Sequence, residues 1–188
     1  MDALVPLVDA SDVIARLRAS TGAYDDEPVD ILEHCLQCAA NLVLTHPDDE
    51  ELQVAGLVHD LGWLTPTTDG VDVVFDARHD AIGSELVRTA LGDRVAHLVG
   101  GHIRAKRYLV ATDPGYANVL TPRSVETLVF QGGPFDAEDI AQFETDPDRD
   151  ALLALRRADD AAKVPGADVP GLETWIEIIG RVADAARH

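Results

Sequence analysis

Apolar residues recur along most of this chain at the three-and-four spacing of an amphipathic helix, and one short stretch departs from it. The pattern predicts a helix running to about residue 19 and capped by Ser11, then a loop through TGAYDDEP. Helices follow over about 29–45 and 48–60. LGWLTPTTDG is a breaker-rich loop, and VDVVF, residues 71–75, is the strand-like run. Helical spacing resumes over about 78–91, 93–110, 122–131, 136–145, 147–162 and 172–186, punctuated by TDPG, QGGP and VPGADVPG. No repeat or linker interrupts the series, so the reading is an all-α fold in a single domain spanning 1–188.

The informative positions are the polar residues that fall on these apolar stripes. His34 lies within the stripe of Ile31, Cys35, Cys38 and Leu42, and His59 continues the face of Leu52, Ala55 and Gly56. His79 shares a face with Ile82, Gly83 and Leu86, His102 with Val95, Leu98 and Val99, and Asp159 follows Leu152 and Leu155. His97 falls across its helix from the His102 stripe and should face water, while His46 lies beside a proline and His188 ends the chain. Four of the seven histidines and one aspartate therefore point inward from five predicted helices, with Asp60 next to one of them. Buried ionisable groups need mutual compensation, and a metal supplies it most directly.

His and carboxylate ligands without thiolates suit iron, manganese, zinc or magnesium, and the wealth of imidazole favours a transition metal. Asp60 has two oxygens and can bridge two ions, with His34, His59 and Asp159 on one and His79 and His102 on the other. Cys35 and Cys38 have no second pair to complete a zinc site and read as small apolar core residues a helical turn apart. The net charge of −19 argues against a nucleic-acid or anionic-membrane partner, so any anion must be bound by a local patch. The N-terminus has an early aspartate and no basic leader, and no apolar run approaches the length of a membrane span; a cytoplasmic location is expected.

The local patch is GHIRAKRYLV. Lys106 lies one turn after His102 on the same inward face, between Arg104 and Arg107, so its ammonium is aimed near the metal ligands as a point charge for an anion. Ser124 and Gln131 are seven apart with Leu128 between them, so both can point into one pocket from a helix ended by Gly132-Gly133-Pro134.

The order His34, His59-Asp60, His79, His102, Asp159 resembles the HD-domain superfamily, in which the two additional histidines mark a dinuclear branch. With LEHCLQCA, LVHDLG, GHIRAKRYLV, LVFQGGPFD and KVPG in sequence, from about residue 24 to 166, the chain is similar to the mixed-valent di-iron oxygenases of that fold. The resemblance is greatest to the glycine-forming dioxygenases of 2-amino-1-hydroxyethylphosphonate, which cleave carbon–phosphorus bonds.

The resemblance implies an HD-domain helical bundle holding two iron ions, Fe(II)/Fe(III), with dioxygen as co-substrate and a small anionic organophosphonate as substrate. It implies that the C1 hydroxyl and a phosphonate oxygen chelate one iron, that the C1 hydrogen is removed, and that phosphate and a carboxylic acid are released. Lys106, Ser124 and Gln131 match phosphonate- or substrate-contacting positions. Tyr24 matches a tyrosine that can fill an open iron position until substrate arrives, and Glu27 a glutamate that recognises the substrate's amino end. Asp25, Asp26 and Asp30 make that loop acidic, compatible with a cationic group.

Trp63 departs from the resemblance, standing where the glycine-forming enzymes carry a second histidine near the substrate. An indole is larger and cannot act as a base, so a pocket lined by it would favour a substituent on C1 other than aminomethyl, either smaller or a methylated ammonium. Two alternatives differ in class: an HD phosphohydrolase in which a metal-bound water attacks a phosphate ester or nucleotide, and a non-catalytic module that lacks some ligands. The full ligand set argues against the second. The oligomeric state is not legible from the sequence.

Overall fold

Short acidic side chains start the first three helices of this protein. In the computed structural model, which describes residues 5–67, 70–74 and 77–188, helix α1 (Ala10–Ala19) opens under Asp9, whose carboxylate accepts from the amides of Ser11 and Asp12. The cap is therefore Asp9 rather than Ser11, whose hydroxyl instead donates to that same carboxylate. Asp30 caps α2 (Ile31–Thr45) through the Glu33 amide, and Asp49 caps α3 (Glu50–Val58) through that of Leu52. Each such cap contributes about 1 kcal/mol and sets where the apolar stripe behind it begins.

A 3-10 turn, Leu61–Trp63, leaves α3 and runs into strand β1 (Leu64–Thr67), which pairs antiparallel with β2 (Gly70–Val73). The strand-like run in the sequence thus has its partner in a stretch that reads as loop, because Pro and Thr spacing conceals an edge strand; Phe75, its last residue, lies outside the described residues, as do residues 1–4. The long helix α4 (His79–Thr112) breaks at Gly92, where φ 88 and ψ 173 are open to glycine and not to an L side chain. Its two halves correspond to the two helices that the spacing predicts. Then come α5 (Pro122–Phe130), α6 (Ala137–Glu144), α7 (Arg149–Asp160) and α8 (Leu172–Ala185). Among the described residues the fold is all-α apart from one hairpin, and no described helix is long and apolar enough to cross a membrane.

α2 packs on α3 and α7, and α4 packs on α3, α7 and α8, so these five helices share one interior. The apolar core runs from Leu7 to Ala183 and includes both cysteines, which are fully buried and free. Where the turn after α3 meets the start of α4, backbone touches backbone. A Cβ on Gly62 would lie 1.9 Å from the carbonyl oxygen of His79 and 2.7 Å from the amide nitrogen of Gly83. That approach presses the residues just after α3 against the first residue of α4.

Gly62→Ala is accordingly expected to destabilise the protein by about 3 kcal/mol or more, because neither contact atom belongs to a side chain that can swing away. Gly180→Ala in α8, where a Cβ meets nothing within 4 Å, is expected to gain roughly 0.5–1 kcal/mol. Urea unfolding midpoints check both, and similar shifts in the two variants would show that the crossing carries no energetic weight.

Candidate metal centre

The inward histidines are oriented by the backbone. His34, on the buried face of α2, places Nδ1 2.9 Å from the carbonyl of Ala162, just beyond α7. His59, the residue that ends α3, places Nδ1 2.9 Å from the carbonyl of Gly56, and His102 in α4 places its own 2.7 Å from that of Val99. A carbonyl only accepts, so each Nδ1 donates to it and each Nε2 is the nitrogen turned inward, open to a proton or a metal. Those nitrogens converge: His34 and His59 meet Nε2 to Nε2 at 3.2 Å, and His79 and His102 at 3.0 Å.

Asp60 lies between the two pairs. Its Oδ2 is 3.4 Å from His34 Nε2 and 3.5 Å from His59 Nε2, while Oδ1 is 3.4 Å from His79 Nε2 and 3.8 Å from His102 Nε2. Asp159, near the end of α7, reaches the first pair only, at 3.3 Å from His34 and 3.8 Å from His59. His34, His59 and Asp159 form one group of ligand atoms lying within 4.8 Å of one another, and Asp60, His79 and His102 a second, all six residues buried. The structure brings together all six residues singled out from the sequence. They come from fewer helices than the spacing suggests: His59 and Asp60 lie in the turn after α3, and His79 and His102 share α4.

Charge in this cluster is unbalanced without cations. Burial by itself would raise Asp60 and Asp159, yet His59, His34 and His79 around the first, and Arg156 and the first histidine pair around the second, hold both well below the usual carboxylate range. Burial would likewise lower His34, but hydrogen bonds with Asp159 and Asp60 outweigh it and lift the imidazole to about 10. His102 goes the other way, pushed down by burial and by His79 and His59. The carboxylates call for positive charge that the imidazoles cannot all hold as protons. Nitrogen-rich donors with two carboxylates and no thiolate fit a pair of first-row transition ions.

Beside the cluster opens a small cleft, lined on one side by Asp60, His79, His102 and Asp159. Lys106 lies in it, buried, with Nζ 3.0 Å from Thr127 Oγ1 and 3.3 Å from the Ser124 carbonyl, and burial pushes its ammonium down to about 7. Ser124 and Gln131 line the same cleft from α5 and its end, and the buried Oε1 of Gln131 meets no partner among the described residues. Trp63 lines it too, its ring stacked on His79 at 4.0 Å between centroids. Glu27 reaches the cleft, where Oε1 accepts from Lys163 Nζ and Thr121 Oγ1, each at 2.7 Å.

Tyr24 is the one predicted site residue that the structure brings neither to the cluster nor to the cleft. Its side chain is 58% exposed and does not line the cleft, because the loop turns at Asp26, φ 70, so that Asp25 and Glu27 face inward instead. Sequence reasoning passed over Arg156 and Lys163. Arg156 pairs with Asp159 at 2.7 Å, and its Nε donates to the Tyr116 hydroxyl at 2.9 Å; its place three residues before Asp159, on the same face of α7, was the signal. Lys163 stands in the KVPG run, beyond the end of α7, where periodicity carries no information.

Comparison with known proteins matches the HD domain family model to residues 31–155, which takes in five of the six cluster residues and stops short of Asp159. The chain is 34% identical to a [1-hydroxy-2-(trimethylamino)ethyl]phosphonate dioxygenase (glycine-betaine-forming) of Leisingera caerulea, over 86% of this chain and 83% of the relative. It is also 34% identical to a hydroxymethylphosphonate dioxygenase of Gimesia maris, over 81% and 77%.

The split of the Asp60 oxygens between two histidine pairs leads to a definite expectation. The wild-type chain should bind about two transition ions, and Asp60→Ala should lose both, since each half of the cluster forfeits an anionic donor at once. Elemental analysis of the purified proteins reads this directly, and retention of one ion in the variant would show that Asp60 serves a single metal.

Proposed function

The chain belongs to the HD-domain family, in its phosphonate dioxygenase branch, and on that premise we propose that it is a di-iron, oxygen-dependent oxygenase that splits the carbon–phosphorus bond of a 1-hydroxyphosphonate. Phosphate and a carboxylic acid are the products. The observation that carries this reading is Asp60, one carboxylate with an oxygen toward each of two imidazole pairs. A phosphate-ester hydrolysis needs fewer nitrogen donors and gives no reason for both His79 and His102. The names of the two relatives support the same reaction class.

The six ligands would hold an Fe(II)/Fe(III) pair, which supplies the one-electron and dioxygen chemistry. The rest falls to the chain's own groups. Lys106 and Arg156, both almost fully buried, offer an ammonium and a guanidinium to the phosphonate oxygens in a place where little water competes. The Ser124 hydroxyl and the Gln131 amide add directional hydrogen bonds from α5. A phosphonate held by these groups directs its C1 hydroxyl toward the cluster, and orientation of the C1–H bond follows from that two-point hold. Glu27, Lys163 and Thr121 tie the loop before α2 to the segments beside α5 and α7, closing one side of the cleft.

Incubation of the iron-loaded protein with 1-hydroxyphosphonates under oxygen should release one phosphate per dioxygen consumed, and none under argon. Oxygen-independent phosphate release from a phosphate ester would instead establish the hydrolase. Lys106→Met should keep its iron and lower kcat/KM by about 100-fold, the scale of one buried charge-assisted hydrogen bond. The pH profile adds a second readout. The protonated ammonium binds the anion, so kcat/KM of the wild type should fall as pH rises through about 7, and this limb should vanish in Lys106→Met while the substrate's own ionisation remains in both profiles.

A further inference from the structure

Arg156, Asp159 and Asp160 share one face of α7 at the three-and-four spacing, and the guanidinium spans both carboxylates. Its Nη1 donates to Asp159 Oδ2 at 2.7 Å, while Nε and Nη2 form a fork on Asp160, Nε at 3.1 Å from Oδ2 and Nη2 on Oδ1. The Tyr116 hydroxyl joins that fork: it accepts from Arg156 Nε at 2.9 Å and donates to Asp160 Oδ2. A guanidinium carries five N–H groups in one fixed plane. Three of them are committed in this network, one on each nitrogen, so each terminal nitrogen of a side chain that lines the cleft keeps one more. Tyr116 is buried, in the 3-10 turn Tyr116–Asn118 that lies between α4 and α5. Burial raises its hydroxyl above the usual phenol range, so the hydroxyl keeps the proton that it gives to Asp160. It thereby ties α7 to the segment joining the helix of Lys106 to the helix of Ser124.

We propose that Tyr116 is a positioning residue of the anion cleft: together with Asp160 it fixes the plane of the Arg156 guanidinium, so that the remaining N–H groups are presented to the phosphonate. This rests on the phosphonate cleft of the function proposed above. Charge by itself gives Asp160 the opposite effect, because a second carboxylate beside Arg156 weakens its pull on an anion. Its contribution is geometric. An arginine that is free to turn loses rotamer entropy each time it grips an oxyanion, whereas one whose plane is set beforehand does not. Planar donors also serve an oxyanion well in one orientation. Lys106 and Ser124 approach the same cleft from α4 and α5, and the phosphonate must meet them and Arg156 at once. Tyr116 carries no charge, so what it adds comes through the orientation of Arg156 and the spacing of α7 from those two groups.

The test uses the iron-loaded full chain, and its first readout, the Kd of inorganic phosphate by calorimetry, needs no turnover. Tyr116→Phe removes a hydroxyl and no charge, and should weaken phosphate binding by about tenfold with iron content unchanged. KM for a 1-hydroxyphosphonate that the wild type oxidises should rise by about the same factor, with kcat within about twofold of the wild type. Asp160→Asn sets an amide NH2 group against the guanidinium fork and should also weaken phosphate binding, although it deletes a negative charge beside the anion. Tyr108→Phe is the control for a lost tyrosine bond: that buried hydroxyl donates to Glu144 at 3.2 Å, away from the cleft, and phosphate affinity should stay as in the wild type. An unchanged Kd in Tyr116→Phe, tighter phosphate binding in Asp160→Asn, or an equal loss in Tyr108→Phe each overturns the proposal. So does a fall in kcat at constant KM, or loss of iron from Tyr116→Phe, since the hydroxyl would then act through Asp159 on the cluster. Should Tyr116→Phe not fold, the direction of the change in Asp160→Asn decides. A wild type that binds no phosphate overturns the anion cleft and the positioning role with it. One that binds phosphate but oxidises no 1-hydroxyphosphonate overturns the oxygenase, and the Kd values still decide the role of Tyr116.

Discussion

Imidazole nitrogens facing one another across 3.0–3.2 Å, with two carboxylates between and beside them, are the constraint on which this structure turns. In an apolar interior such an arrangement is repulsive on its own, and it becomes favourable once positive charge sits among the donors. The surrounding helices are therefore not simply a scaffold with ligands attached. α2, α3, α4 and α7 each deliver, within or just past their buried faces, a group that the interior tolerates only in company.

Around the donors a second layer keeps them in place. Backbone carbonyls at Ala162, Gly56 and Val99 set three of the imidazoles, and the glycine crossing between Gly62 and His79 fixes how near Asp60 comes to the start of α4. Arg156 belongs to this layer and to the cleft at once: it pairs with Asp159 and Asp160, contacts the Tyr116 hydroxyl, and faces the space a phosphonate would fill. One guanidinium thus touches a cluster carboxylate and lines the anion pocket, which ties the position of a bound phosphonate to the geometry of the cluster.

The cleft also explains how a chain with a net charge of −19 can take an anionic substrate. The cations are gathered: Lys106, Arg123, Arg156 and Lys163 line the cleft from α4, α5, α7 and the segment after it, in a chain that is acidic overall. Burial sharpens each of these charges, since a low-dielectric wall strengthens every contact the substrate makes. It also makes the ammonium of Lys106 sensitive to pH near neutrality.

Helix periods of 3.6 residues and the short acidic and glycine signals between them were enough for the all-α class, the break within α4 and the six inward residues, since an apolar stripe with a polar residue on it is a local pattern. Lys106, Ser124 and Gln131 were legible for the same reason, as helical positions with a definite face. Residues off the helices were not. Tyr24 and Asp25 sit side by side in a loop, and which one faces the cleft depends on the left-handed turn at Asp26, a backbone choice that no periodicity encodes. Lys163 and the pairing of β1 with β2 depend in the same way on contacts distant in the chain. The sequence by itself determined which side chains turn inward, because that follows from spacing along a helix. Only the tertiary structure decided which of them meet, which oxygen of Asp60 faces which pair, and which loop residues line the cleft, because those follow from how the helices and loops approach one another in space.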